Sequence, residues 1–195
     1  MVVLSQVAYR SSHVADATAI TEAVHDAGGL VVWDLSHSAG SVVVELDAWG
    51  ADLAVGCGYK YLNGGPGAPA FAYVATRHQG ALTQPIQGWM GAADPFLMGP
   101  EYRPAPGIRR FISGTPPVVG MQPMRDMLAL VEEAGMPAVR AKSVALTAYV
   151  VRSTDLARTA SRPTSSTSAI MSRTASIPTT AGVPLMNRRM PGAGR

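Results

Sequence analysis

Leu30-Val31-Val32-Trp33-Asp34-Leu35-Ser36-His37-Ser38-Ala39-Gly40 is the stretch from which the rest of the chain is read. Four apolar residues in a row are too few for a helix and suit a strand buried on both faces, as in a parallel sheet. The run ends on an acid, followed by small and polar residues that form a turn. Upstream, Ile20, Ala23, Val24 and Ala27 fall at helical spacing between Asp16, a capping residue, and the stop Gly28-Gly29. Before that helix, Val2-Val3-Leu4-Ser5-Gln6-Val7-Ala8-Tyr9 reads as another buried strand. Strand, helix and strand within about 30 residues make a crossover unit with parallel strands. Because the chain opens directly on a core strand, sequence preceding Met1 is expected to belong to the same protein.

Downstream, Asp52-Leu53-Ala54-Val55-Gly56-Cys57 and Ala70-Phe71-Ala72-Tyr73-Val74-Ala75 supply two more short strands, separated by the turn-rich Asn63-Gly64-Gly65-Pro66-Gly67. The fold class expected is therefore α/β with a mostly parallel sheet. From Gln84 to Pro123 glycine and proline are dense and no period survives, which suits a long ordered loop region of the kind that carries function. Residues 124–146 turn helical, with Met127, Leu128 and Val131 on one face.

The net charge of +3 divides unevenly. Residues 1–148 carry nine Lys or Arg against twelve Asp or Glu, whereas residues 149–195 carry seven Arg against Asp155 alone. The expectation is a partial large domain over 1–148 and a low-complexity basic tail over 149–195, disordered or frameshifted. A basic tail can bind nucleic acid, but this one has no lysine and no interleaved aromatics, so no nucleic-acid partner is expected. No apolar run reaches the roughly 18 residues of a membrane span, and no signal peptide is evident. Cys57 is the one cysteine, which rules out an intramolecular disulfide and favours a cytoplasmic location. It reads as a buried structural thiol. His13 and His25, near or on the first helix, read as solvent-facing. No metal site is expected.

Two residues stand out chemically. Asp34 lies at the carboxyl end of a strand, where open α/β sheets bind ligands, and an acid there needs a partner such as a cationic ring nitrogen. A turn or helix-capping role is the alternative. Lys60 is one of two lysines in the chain; it follows an apolar strand and lies between Tyr59 and Tyr61. A lysine in such a setting can form a Schiff base with an aldehyde, or it can simply extend to solvent from the strand end. Together, a strand-terminal Asp and a Lys after the next strand match the way pyridoxal phosphate is held.

The blocks Trp33-Asp34-Leu35-Ser36-His37-Ser38-Ala39-Gly40 and Tyr59-Lys60-Tyr61-Leu62-Asn63-Gly64-Gly65-Pro66-Gly67 resemble those of kynureninases, within the class-V aminotransferase-like group of pyridoxal-phosphate enzymes. Gly88-Trp89-Met90-Gly91, Tyr102-Arg103-Pro104-Ala105-Pro106-Gly107 and Gly114-Thr115-Pro116-Pro117 continue the resemblance in order, over about residues 1–147. It implies the large domain of a fold type I transferase, here incomplete. It further implies that Lys60 carries pyridoxal phosphate, Asp34 pairs with the ring nitrogen and His37 lies beside the ring. Tyr59 would touch the phosphate and assist proton transfer, and Ser5 would contact the cofactor. Trp89 and Thr115 resemble positions that reach the cofactor of the neighbouring subunit, which implies a homodimer. The implied reaction is hydrolysis of L-kynurenine, or 3-hydroxykynurenine, to anthranilate, or 3-hydroxyanthranilate, and L-alanine in tryptophan catabolism. A cysteine-desulfurase-like relative fits Trp89 and the Pro-rich loop less well. This chain has Gly58 where the family usually has a hydroxyl residue, and the substrate-carboxylate arginine is absent from the matching region. The alternative function is therefore a catalytically inactive fragment that at most dimerises or binds pyridoxal phosphate weakly.

Overall fold

The computed structural model describes residues 1–160, with side chains through residue 155. A compact unit spans Met1–Thr154, and a second unit, Asp155–Arg195, falls almost wholly outside the described residues. The sheet has four strands in sequence order: β1 (Val2–Ser5), β2 (Val31–Asp34), β3 (Leu53–Cys57) and β4 (Ala70–Val74). The first three are parallel, and β4 returns antiparallel to β3. Helix α1 (Ala17–Asp26) makes the crossover between β1 and β2, and a single helical turn, α2 (Thr76–Gln79), follows β4. The α/β class with a mostly parallel sheet is what the strand pattern predicts.

Side chains alternate across the sheet. On one face Val31, Trp33 and Ala54 are buried with Ala17, Leu35 and Ala51, and Leu4, Ile20, Val24, Trp49 and Phe71 pack around them. Asp16 caps α1 by accepting from the Ala19 N–H. The buried stripe of that helix is Ala17, Ile20, Thr21 and Val24, whereas Ala23 and Ala27 face outward. The apolar spacing therefore placed the face about one position off. Thr21, which a hydrophobicity count passes over, is buried because its Oγ1 accepts from Trp33 Nε1–H at 3.1 Å.

β1 differs from expectation in a second way. It is shorter than Val2–Tyr9 and exposed, with Val3 64% accessible, because it lies at the edge of the sheet and pairs with β2 alone. Beyond β4, the loop region of 84–117 is ordered by arginines. Arg109 donates to the carbonyls of Ala92 and Ala93, and Arg110 to those of Gly80 and Ala105. Two short 3-10 turns, Trp89–Gly91 and Gly107–Phe111, punctuate it.

Helix α3 (Val118–Ala134) begins six residues before the expected 124–146 helix and contains Pro123, the residue that made 118–123 read as loop. Gly135 separates it from α4 (Met136–Ala160). The expected break after residue 148 falls inside α4, so residues 149–160, assigned to a disordered tail, are helical. Residues 161–195 of that tail lie outside the described residues. Among the described residues no helix is long and apolar enough to cross a membrane.

Candidate functional site

β2 and β3 are parallel neighbours, so their carboxyl ends open to the same side, and the turns that leave them bring Asp34, His37 and Lys60 to one end of the sheet. Asp34 is the last residue of β2, paired across the sheet with Ser5 on β1 and Val55 on β3. Its Oδ1 accepts from the Ser36 N–H at 2.8 Å and its Oδ2 from the Ser5 hydroxyl at 3.3 Å. Asp34 is thus both a turn aspartate and a strand-end acid. Partial burial pushes its carboxyl up, but the hydrogen bonds from Ser36 and Ser5, with the charge of His37, outweigh this and hold it below the ordinary carboxylate range. It is an anion with lone-pair capacity to spare.

The Lys60 amine lies 3.1 Å from His37 Nε2. An ammonium donates and cannot accept, so a charged Lys60 requires His37 to present an unprotonated Nε2. The amine also lies 5.6 Å from the centre of the Tyr59 ring. Tyr59 and Tyr61 are themselves about half exposed, at 54% and 49%, so they do not wall the amine in as their flanking positions suggested.

Two glycines let these loops meet. A Cβ on Gly40 would stand 2.5 Å from the Tyr61 carbonyl oxygen, so the turn after His37 can rest on the Lys60 loop only if residue 40 has no side chain. Its φ of +86° independently favours glycine. A Cβ on Gly58 would stand 2.6 Å from Met124 Sδ and 2.7 Å from the Pro69 carbonyl oxygen. The hydroxyl residue that the resemblance expects at position 58 has no room here, since α3 fills that space from behind. Cys57 is half-buried and its thiol points to the Ser36 carbonyl at 3.7 Å, in keeping with a structural thiol.

Trp89 and Thr115 stand apart from this cluster. Trp89 packs its ring at 5.6 Å from Phe96, on a pocket also lined by Asp94, Met98, Glu101 and Arg103, and Thr115 is exposed before α3. Neither has a hydrogen bond or ring contact to Asp34, His37 or Lys60. The structure therefore brings together Ser5, Asp34, His37, Lys60 and Tyr59, and not Trp89 or Thr115.

The sequence reading missed a second polar centre. Asp52, just before β3, is 1% exposed. Its Oδ2 accepts from His25 Nε2 at 2.8 Å and from the Val31 N–H at 2.9 Å; its Oδ1 accepts from Arg77 at 2.6 Å and from His78 Nε2 at 2.7 Å. His25 stays exposed, as expected, with its Nε2 tied to this carboxylate. In sequence Asp52 reads as the first residue of an apolar strand. An acid on a buried strand needs partners at Asp52 as much as at Asp34. Among the described residues no group of His, Cys, Asp and Glu is arranged to hold a metal.

A primary amine, an ionised carboxylate and an imidazole at one sheet end suit a ligand with an electrophilic carbonyl carbon and a basic ring nitrogen. The aminotransferase class-V family model matches residues 1–176. A kynureninase of Deinococcus radiodurans is 49% identical over 152 residues, covering 78% of this chain and 37% of that protein. The chain thus spans little more than a third of the length of this curated relative. Among solved structures, an apo cysteine desulfurase from Thermococcus onnurineus NA1 superposes with a TM-score of 0.66 at 20% identity, over 78% of this chain and 38% of that one. A mutant of the C-DES protein with glycine covalently linked to its pyridoxal phosphate cofactor superposes with a TM-score of 0.57 at 19% identity, over 69% of this chain and 35% of that one. These two likenesses concern the fold.

Proposed function

From the premise that the chain belongs to the aminotransferase class-V family, we propose that it forms the central part of a kynureninase, in which Lys60 carries pyridoxal phosphate. The observation that carries this reading is the Lys60 amine, held against His37 at the sheet end where Asp34 presents its carboxylate. The 49% identity to a kynureninase supports the choice of substrate class over that of other members of the family.

When bound, pyridoxal phosphate supplies an electrophilic carbon for an amine and a ring that accepts electrons. Lys60 Nζ would be the attachment point for the group and the base toward the α-carbon of the substrate. Asp34 stays ionised through its hydrogen bonds and would hold a proton on the ring nitrogen of the group. His37 orients the Lys60 amine and would lie beside the bound ring. Ser5 donates to the Asp34 carboxylate and would contact the group; Tyr59, whose ring lies near the Lys60 amine, would hold the phosphate and assist proton transfer. Trp89 and Thr115 serve the site of the neighbouring subunit in a homodimer. The overall reaction consumes one water. Its oxygen ends in the anthranilate carboxylate and a proton goes to the β-carbon of L-alanine. Catalysis in the cytoplasm, on kynurenine or 3-hydroxykynurenine, completes the proposal.

The alternative is a chain that binds cofactor without turnover. Visible absorbance with added pyridoxal phosphate, followed by an assay for anthranilate fluorescence, separates the two. A band that Lys60→Ala abolishes, with anthranilate formed from L-kynurenine, is the expected result. A Lys60-dependent band without anthranilate selects the alternative, and absence of any band in folded protein rejects the cofactor site.

A further inference from the structure

Asp52 lies at the amino-terminal end of the sheet, one strand length, roughly 15 Å, from the Asp34–Lys60 end. It occupies the position just before the first β2–β3 pair, Val32↔Leu53. Its side chain reaches across to the Val31 N–H of β2, while its main-chain carbonyl accepts from the Ala75 N–H after β4. One residue therefore extends the ladder by a step on both sides. The same carboxylate ties down the end of α1 through His25 and α2 through Arg77 and His78.

The donor chemistry makes this a lock with one key. Each carboxylate oxygen has a partner that can only donate: the Val31 N–H on Oδ2 and the Arg77 guanidinium on Oδ1. An asparagine offers one oxygen and one NH2. Whichever way that amide is turned, its NH2 meets an obligate donor, so no orientation satisfies both sides. The two histidines could change tautomer to suit; the backbone N–H and the arginine cannot.

The β2–β3 ladder has only three pairs, Val32↔Leu53, Trp33↔Ala54 and Asp34↔Val55. So short a ladder specifies register weakly, and a slip of one residue would turn Asp34 to the other face. We infer that Asp52 is a positioning residue for the candidate site: by fixing β2 against β3 from the far end, it sets how Asp34 and His37 stand relative to Lys60. This rests on the reading of Lys60 and Asp34 as cofactor residues, yet it has a readout that needs no cofactor. His37 is one of four histidines in the chain and touches the Lys60 amine. Its ring-proton NMR signal, assigned by its loss in His37→Gln, reports the geometry of the site directly.

The test compares the full chain with Asp52→Asn and with Asp47→Asn, a control whose carboxylate takes the Tyr73 hydroxyl on the same part of the sheet. All are measured below their melting temperatures, where far-UV circular dichroism shows each folded. Asp52→Asn should displace the His37 signal and weaken pyridoxal phosphate binding by about tenfold, the lower end of what losing a supporting residue behind a site ligand costs in metal centres. Asp47→Asn should leave both unchanged. A purely structural Asp52 would lower the melting temperature alone; an unmoved His37 signal with unchanged binding overturns the inference. If the unmodified chain gives no Lys60-dependent band, the cofactor reading fails and the His37 signal alone decides the positioning role. If Asp52→Asn does not fold, Arg77→Met, which removes one donor from Oδ1 and leaves His78, is read in the same way.

Discussion

At the scale of single residues, space and the pairing of buried donors decide the geometry. Gly40→Ala would force a methyl to 2.5 Å from the Tyr61 carbonyl in a backbone that disfavours any side chain. Strain at the positive φ and the clash together should cost about 2–4 kcal/mol, and they should part the His37 turn from the Lys60 loop. Thermal unfolding monitored by circular dichroism checks the first effect, and titration with pyridoxal phosphate the second. A variant that melts and binds as the parent does would show that the two loops do not depend on this contact. Thr21→Val keeps the shape of the α1 stripe but leaves the buried Trp33 indole N–H without an acceptor. The expected loss is about 1–3 kcal/mol, read as a lowered unfolding midpoint in urea.

At the scale of elements, the Asp52 centre sets an acid limit. Desolvation raises its carboxyl, but the hydrogen bonds from Val31, His25, His78 and Arg77 more than reverse this and hold it far below the ordinary range. A carboxyl lowered on folding contributes stability that is fully present above its unfolded value, near 3.8, and is lost as pH falls through the folded one. Stability measured by urea unfolding should therefore drop below about pH 4, and Asp52→Asn should be less stable at neutral pH with a shallower acid limb. An unchanged limb would assign the acid sensitivity to other carboxylates. The elements were legible in the sequence to the extent that their signals were local. The apolar run ending at Asp34, the crossover helix and the paired glycines gave strands and order. What was not local was lost: β1 was read as buried because nothing in Val2–Ser5 tells an edge strand from a central one. The α1 face was misplaced because Thr21 is buried by a hydrogen bond, and α3 was cut short because Pro123 looks like a stop. Of the site, Asp34 and Lys60 were visible by residue type and spacing. His25 and Asp52 were not, because their pairing joins residues 27 apart.

At the scale of the whole molecule, helices α3 and α4 leave Val118, Val119, Leu130, Val144, Tyr149 and Val150 exposed. Exposed apolar surface on this scale favours association, and a homodimer is the form the proposal expects. Sedimentation over a range of concentrations should show a dimer in reversible exchange with monomer. A monomer at all concentrations would remove the shared-site role proposed for Trp89 and Thr115.

The central claim is that Lys60 carries the cofactor, and the composition makes it unusually open to test, since Lys142 on α4 is the only other lysine. The purified chain is incubated with pyridoxal phosphate, reduced with borohydride so that the linkage becomes permanent, digested, and mapped by mass spectrometry. At stoichiometric cofactor the label should sit on Lys60, with Lys142 and the terminal amine unmodified. Equal labelling of the two lysines, or a label on Lys142 or the terminus alone, would contradict it.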